Sequence, residues 1–152
     1  MRDDCVVKLA ETWFQILKEL SGQYPALGNL ALKNIRHYVS WIDVQLIVND
    51  NYVNLFFQLL EAPDLRERVC QCLEHIVVKG MPFEAKHQMI RYLRVLSLIA
   101  NGQLDDVEYM IALGGLLNSV GLQSIECRSE AYLSKAAQPV LGEKVNFWKS
   151  LL

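Results

Sequence analysis

The sequence predicts an all-α fold in which amphipathic helices are stacked in pairs. Apolar residues recur at intervals of three and four along most of the chain, which places them on one side of successive helices. Glycine and proline residues interrupt this pattern at short intervals and mark turns. In addition, 52% of the 152 residues are hydrophobic and the mean hydropathy is +0.14, which is high for a chain that covers its own surface. Such a composition is typical of repeat units that are buried by their neighbours.

The first predicted helix spans residues 3–20, and the second runs from Leu27 to Ile42. Ser21, Gly22 and Pro25 separate the two helices, and these residue types end and restart helices. The first apolar stripe consists of Val6, Leu9, Ala10, Trp13, Phe14, Ile16, Leu17 and Leu20, and the second of Leu27, Leu30, Ala31, Ile35, Tyr38, Val39 and Ile42. Two helices joined by a short turn make one helical hairpin.

Residues 44–57 fit two structures. Two runs rich in valine and aromatic residues flank Asn49-Asp50-Asn51, a sequence that could form a β-hairpin turn. The helical alternative is favoured, because Asp50 can cap a helix whose apolar residues Val53, Phe56 and Leu60 follow at helical spacing. Pro63 ends this third helix and opens a fourth, which stops at Gly80.

Three further helices are predicted after Gly80. Pro82 opens a fifth helix that Asn101-Gly102 closes, with Met89, Ile90, Leu93, Leu96 and Ile99 facing inward. A long helix follows from Leu104 to about Cys127, and the cost of Gly114, Gly115 and Gly121 in a helix predicts close packing or a kink there. A last helix spans Val140 to Leu152 and presents Val145, Trp148, Leu151 and Leu152.

The helices therefore recur in pairs of roughly 35 to 45 residues, the period of HEAT and armadillo repeats. The predicted fold is a segment of a HEAT-like helical-repeat solenoid, an α-α superhelix. Its units are residues 1–42, 43–80, 81–127 and, in part, 138–152. Such a fold predicts a helix content above about 60% with no sheet, well beyond the globular average.

Charge, cysteine usage and hydropathy exclude several classes of protein. The formal net charge of −2 provides no basic field with which a small domain could seek nucleic acid unaided. The four cysteines lack the density of a disulfide scaffold and the spacing of a zinc or redox motif, which favours a reducing compartment. Neither a signal peptide nor an apolar run long enough to span a membrane is present, so we expect a soluble chain or part of a soluble assembly.

Several uncommon short motifs occur in series, and together they resemble motifs of the exportin-T family of karyopherins. YVSWID at residues 38–43 is followed by LIVND at residues 46–50, then by Leu65-Arg66-Glu67, Lys79-Gly80-Met81 and Asp106-Val107. The resemblance covers about residues 1–100, and only scattered positions match beyond them. It implies an interior piece of the N-terminal half of a helical receptor. The first repeats, a principal surface for the Ran GTPase in importin-β relatives, are then expected to lie outside this chain.

The same resemblance implies a function in nuclear transport. Members of this family carry tRNA from the nucleus to the cytoplasm together with GTP-bound Ran and shuttle between the two compartments. Nucleoporins are further expected partners, while no catalysis and no cofactor are implied. Recognition is expected to read the shape and the backbone of the folded RNA.

Three basic sets are candidates for contact with tRNA or Ran. Lys33, Arg36 and His37 share the polar face of the second helix at helical spacing. Lys86, His87, Arg91 and Arg94 do the same on the fifth helix, and Lys79 lies at a turn between them. Both helices are expected to be the second of their pair, the position that lines the concave surface of a HEAT solenoid. The alternative is that these residues form ordinary solvated faces.

Other conspicuous residues are given structural roles. Trp41 is expected to be a buried anchor, and Asp43 to cap the turn that follows it. His37, His75 and His87 have no metal-binding or general-base motif around them, and neither an enzyme nor a metal site is predicted. The functional alternative from another class is a generic helical-repeat scaffold whose groove accepts a partner helix.

Overall fold

Six α-helices make up the part of the chain that the computed structural model describes, residues 2–95, 97 and 105–151, with side chains for 4–95, 97 and 105–136. The helices are α1 (Arg2–Gln15), α2 (Pro25–Tyr38), α3 (Asp50–Leu59), α4 (Arg66–Val78), α5 (Phe83–Leu93) and α6 (Val107–Leu151). A π-helical turn, Ile16–Leu20, follows α1, and a 3₁₀ turn, Val44–Leu46, precedes α3. The chain is 79% helical and these ranges contain no strand, which confirms the predicted all-α fold and its helix content.

The helices form two layers. In the first layer, the Tyr52 hydroxyl of α3 donates to the Ala10 carbonyl of α1, and Tyr92 of α5 donates to Asp50 of α3. In the second layer, α2 packs on α4, and α4 packs on α6 over its most extensive interface. Within each pair the layers also touch, α1 with α2, α3 with α4 and α5 with α6. This arrangement is that of stacked helical hairpins.

Polar contacts between helices have a regular offset in sequence. The described side-chain hydrogen bonds either join residues at most nine positions apart or join residues 35 to 45 apart. The offset is 40 for the bond from the Cys72 thiol to the Leu32 carbonyl and 42 for the Tyr52 bond. Each of these bonds therefore joins one helical pair to the next, with the period predicted from the sequence.

The core is centred on α4, which has neighbours on nearly every side. Its buried apolar residues are Val69, Cys70, Cys72, Leu73, Ile76 and Val77. Both cysteines are buried although they point away from each other on the helix, because α4 packs against α2 on one side and α6 on the other. At the start of α4, buried Arg66 pairs with Asp105 at 3.2 Å and Asp106 at 3.4 Å, and its guanidinium lies 4.6 Å from the Tyr109 ring.

The region of residues 41–57 contains no β-hairpin, as the favoured prediction required. Asp43 accepts from the Gln45 amide at 3.0 Å and caps the 3₁₀ turn, which confirms its predicted role. The cap of α3 is one residue earlier than predicted, since the Asn49 side chain accepts from the Tyr52 amide at 3.0 Å and Asp50 is already helical. Trp41 is 58% exposed, so the buried anchor is wrong, and its ring packs against Tyr38 at 4.9 Å instead.

The predicted end of the fifth helix is wrong. The fifth helix stops at Leu93, because Arg94 adopts the left-handed conformation with φ 48°. Arginine gives no sequence signal for such a cap, which glycine normally supplies. Leu96, Ile99 and Asn101-Gly102 lie outside the described residues.

The long helix continues to Leu151 in one piece, so the predicted separate helix from Val140 is wrong. Residues 128–136 are mostly exposed and carry no buried stripe, but their alanine, leucine, glutamate and lysine residues favour helix without one. The side chains of Val145, Trp148, Leu151 and Leu152 are outside the described set. Of Gly114, Gly115 and Gly121 in this helix, only Gly115 lies close to a neighbour, where an added Cβ would be 3.4 Å from the Glu74 carboxylate. Gly114 and Gly121 face open space.

Candidate functional site

The second helix presents cations without any acidic residue of its own. The α2 segment contains Lys33, Arg36 and His37, and no aspartate or glutamate. Lys33 and His37 are exposed, whereas Arg36 is half-buried because it reaches across to α4. These three sequence candidates therefore lie together at the α2 side of the second layer.

Arg36 joins a polar network that sequence reasoning missed. Its Nη1 donates to Gln71 Oε1 at 3.0 Å, and its Nε donates to His75 Nε2 at 3.3 Å. Arg68 Nη1 donates to the same Gln71 oxygen at 3.4 Å. His75 Nδ1 lies 3.0 Å from the Gln71 carbonyl, so the tautomer with a proton on Nδ1 satisfies both ring nitrogens. The offsets of 35 and 39 residues between Arg36 and its partners match the repeat period, the one signal that could have found them.

The two arginines of this network have no carboxylate partner among the described residues. Ion pairs in those ranges join only Arg66 to Asp105 and Asp106. Glu67 is close by, but it accepts at 3.3 Å from the Gln71 amide nitrogen. Arg36 and Arg68 are thus bonded to neutral acceptors, and their positive charge stays available to a ligand.

Lys79 and Lys86 close the ends of helices. The Lys79 ammonium donates to the carbonyls of Val39 at 2.7 Å and Ser40 at 3.0 Å, just beyond α2. Lys86 is 4% exposed and donates to the carbonyls of Val77, at 2.6 Å, and Lys79 at the end of α4. Burial lowers the pKa of the Lys86 amine. The prediction that Lys86 lies on an exposed polar face is wrong, because its position on α5 points it at these unpaired carbonyls.

Arg91 and Arg94 are exposed but lie apart from the α2 set. Helix α5 belongs to the first layer, so the expectation that α2 and α5 occupy equivalent positions in their pairs is wrong. His87 and Arg91 are exposed on α5, while Arg94 has left the helix. Arg94 lines a cavity of about 260 Å³ together with Asp50, Asn54, Phe57 and Tyr92.

Charge changes sign across the second layer. Lys33, Arg36 and Arg68 lie on its α2 side, whereas Asp105, Asp106 and Glu108 surround the start of α6. On the α6 side of α4, Glu74 accepts from the Ser119 hydroxyl at 3.0 Å. An anionic ligand is therefore attracted to the α2 side of this layer and repelled from its α6 side.

The thiols of Cys70 and Cys72 are buried in the core, where a cysteine is a poor nucleophile. Burial raises the pKa of the Cys70 and Cys72 thiols to about 12, which leaves both protonated near neutral pH. In the same part of the chain, no three His, Cys, Asp or Glu side chains come close enough to hold a metal ion. None of the described helices combines the length and the apolar character needed to cross a bilayer.

Comparison with known proteins identifies relatives along most of the chain. A family model described as Exportin 1-like protein matches residues 1–73. Exportin-T of Dictyostelium discoideum is 40% identical over 123 residues, which cover 81% of this chain and 11% of that protein. Exportin-T of Danio rerio is 34% identical and that of Homo sapiens 31% identical, each over 125 residues that cover 80% of this chain and 13% of the relative.

The chain thus spans only a small fraction of the length of these relatives. The matches come from a slime mould, a fish and a human, and each covers about four-fifths of the sequence. The all-helical layers and the repeat offset described above agree with the fold of helical-repeat exportins. On this evidence the chain belongs to the exportin-T family.

Proposed function

We propose that this chain forms part of a nuclear export receptor and that the α2 side of its second layer contacts the phosphates of tRNA. The observation that carries the proposal is the group of basic side chains Lys33, Arg36, His37 and Arg68, in which the two arginines are bonded to neutral acceptors. Exportin-T relatives support the transport role. The layer is the one expected to line the concave surface of a HEAT solenoid, where a cargo would be enclosed.

Contacts of this kind read the RNA backbone. Lysine and arginine bound to phosphates contribute affinity without base preference, which suits a receptor that must accept many tRNA sequences. The formal net charge of −2 limits how strongly the chain attracts RNA. The 152-residue chain by itself is therefore expected to bind tRNA weakly, above micromolar Kd at near-physiological salt, and with a strong dependence on salt.

The first prediction compares two double charge reversals in this chain. Lys33→Glu with Arg36→Glu should weaken tRNA binding at least tenfold, about 1.4 kcal/mol, because attraction is lost and repulsion is added. Arg91→Glu with Arg94→Glu makes the same change in net charge in the first layer and should weaken binding less than threefold. Fluorescence anisotropy with labelled tRNA, repeated over a salt series, measures both.

Two outcomes would contradict this proposal. Equal losses in the two double variants would mean that net charge, and no particular face, governs RNA binding. Submicromolar affinity of the unaltered chain at near-physiological salt would mean that much more of the RNA site lies within it than proposed. Circular dichroism checks that each variant keeps its helix content.

The same proposal includes the other transport partners. GTP-bound Ran would bind together with tRNA in the nucleus, nucleoporins would be met during passage through the pore, and the receptor would shuttle between nucleus and cytoplasm. Arg91 and Arg94 in the first layer are candidates for the contact with Ran, since acidic protein surfaces attract exposed arginines. Loss of Ran binding in the Arg91→Glu and Arg94→Glu double variant, measured without RNA, would support this assignment.

A second candidate function is that of a protein-binding scaffold. It is favoured by apolar side chains exposed on α6, among them Val107 at 69%, Ile111 at 70% and Ile125 at 64%. These positions follow one another at helical spacing and could bind an amphipathic partner helix. A loss of RNA affinity in the Lys33→Glu and Arg36→Glu double variant would favour the receptor. An unchanged RNA affinity in that variant would favour the scaffold.

A further inference from the structure

We propose that Arg36 and Arg68 form a two-arginine clamp for a single backbone phosphate, with Gln71 occupying the phosphate position in the unbound protein. The inference rests on the proposed function and names a site within it. Arg68, Gln71 and His75 lie outside the residues that the sequence pattern suggested.

The clamp is defined by one shared acceptor. Arg36 Nη1 and Arg68 Nη1 both donate to Gln71 Oε1, at 3.0 Å and 3.4 Å, so two guanidinium groups from different helices meet at one oxygen. A phosphate offers several charged oxygens at such a point, and charge-assisted bonds from arginine to an anion are stronger than bonds to an amide. Replacement of the amide oxygen by a phosphate oxygen is therefore favourable for both arginines.

Neighbouring bonds orient the clamp before any ligand arrives. Arg36 Nε donates to His75 Nε2, which fixes the guanidinium plane and leaves its Nη atoms for the ligand. The amide nitrogen of Gln71 donates to Glu67 Oε1 at 3.3 Å, so the amide oxygen faces the arginines. Preorganised donors lose less freedom on binding than flexible ones do.

The position of the clamp suits a nucleic-acid backbone better than a protein side chain. Arg36 belongs to α2 and Arg68 to α4, on the side of the second layer where exposed Lys33 and His37 also lie. A run of phosphates can engage Lys33 and the clamp together, whereas an isolated carboxylate fills only one of them. The forked geometry of arginine also matches the oxygens of a phosphodiester.

A pair of isosteric substitutions tests the clamp. Gln71→Glu places a carboxylate at the shared oxygen, where it pairs with both arginines and excludes phosphate. Gln88→Glu makes the same charge change at an exposed position of α5 in the first layer. We expect Gln71→Glu to weaken binding of tRNA to the 152-residue chain at least tenfold and to lower the salt slope by about one, the value for one lost phosphate contact. Gln88→Glu should change affinity less than twofold.

A second pair of substitutions tests the clamp even if the Gln71→Glu variant does not fold. Arg68→Met removes one exposed arm of the clamp, and Arg91→Met removes an exposed arginine from the first layer. Arg68→Met is expected to cost about fivefold in affinity for tRNA and Arg91→Met less than twofold. The RNA probe is unmodified tRNA transcript, and each variant is checked for helix content by circular dichroism.

The outcomes separate this inference from the proposed function. If Lys33→Glu with Arg36→Glu abolishes RNA binding while Gln71→Glu and Arg68→Met bind like their controls, the basic face stands and the clamp is wrong. If none of these variants affects RNA binding, both proposals fall. If Gln71→Glu weakens binding of GTP-bound Ran measured without RNA and leaves tRNA affinity unchanged, the clamp serves a protein carboxylate and the phosphate assignment is overturned.

Discussion

Gly28 shows how tightly the first hairpin is pressed against the second. It lies in the first turn of α2, and a Cβ built there would be 2.8 Å from Ser21 Cβ and 3.0 Å from Leu65 Cδ2. Ser21 is buried at the end of the π-helical turn, and Leu65 immediately precedes α4. Three segments therefore meet at a point where only glycine leaves enough room.

Replacement of Gly28 by alanine should destabilise the protein by about 1–3 kcal/mol, because the added methyl group forces Ser21 and Leu65 apart. Gly114→Ala is the matched control, since nothing lies within 4 Å of a Cβ at this exposed helical position. That substitution should stabilise the protein by about 0.5–1 kcal/mol through helix propensity. Urea unfolding monitored by circular dichroism measures both changes, and a stabilising Gly28→Ala would show that the two hairpins have room to separate.

Two helices of the second layer, α2 and α4, are capped at their C-terminal ends by lysines that lie later in the sequence. Lys79 donates to carbonyls beyond the end of α2, and Lys86 donates to carbonyls at the end of α4. The last carbonyls of a helix have no partner within it, and a cation near them also interacts favourably with the helix dipole. Lys79 therefore joins α2 to α4, its neighbour in the second layer, and Lys86 joins α4 to α5, the next helix along the chain.

Lys86→Met should destabilise the protein by about 1–3 kcal/mol, because the buried carbonyl of Val77 loses its donor. Lys79→Met should cost about 0.5–1.5 kcal/mol, since the Ser40 end is exposed and water can replace the ammonium. Neither variant should change affinity for tRNA more than twofold under conditions where it is folded. A larger loss of RNA binding at either lysine, with unfolding unchanged, would assign that residue to the RNA face.

The elements were largely predictable from the sequence, while the contacts between them were not. Apolar spacing predicts all five shorter helices, since a buried stripe follows from the helical period. The left-handed conformation of Arg94 and the uninterrupted α6 were not predicted, because neither feature follows from the type or the spacing of the side chains. The hydrogen-bond network of Arg68, Gln71 and His75 was not predicted either. Its bonds form between helices, and no single helix reveals which of its polar residues will face a partner.

Among the side chains that the structure describes, packing is densest at α4 and weakest in residues 128–136 of α6. Helix α4 has neighbours in both layers, whereas beyond Cys127 the described residues of α6 are largely exposed, with Tyr132 at 74% and Leu133 at 65%. The proposed repeat boundaries at residues 1–42, 43–80, 81–127 and 138–152 stay a prediction. The second layer is also polar in charge, because its α2 side is basic and its α6 side is acidic.

Amide hydrogen exchange should follow this packing. The amides of residues 69–77 in α4 should exchange most slowly, since opening them disrupts contacts with both layers. Amides of residues 128–136 should exchange at least a hundredfold faster, about 2.7 kcal/mol less protected, although both segments are helical. Mass spectrometry of peptic fragments measures the two segments in one experiment. Equal protection in both would mean that α6 gains a partner in solution, such as a second copy of the chain.

The regular offset of the polar cross-links has a mechanical consequence. Each long-range side-chain hydrogen bond among the described residues reaches only the adjoining helical pair, so none of them ties the first pair directly to the third. A force applied along the stack is then shared among successive interfaces, each of which tilts slightly while its own bonds stay intact. The molecule should respond like a spring whose stiffness falls as units are added. An elastic stack of this kind can adjust to ligands of different size without any local unfolding.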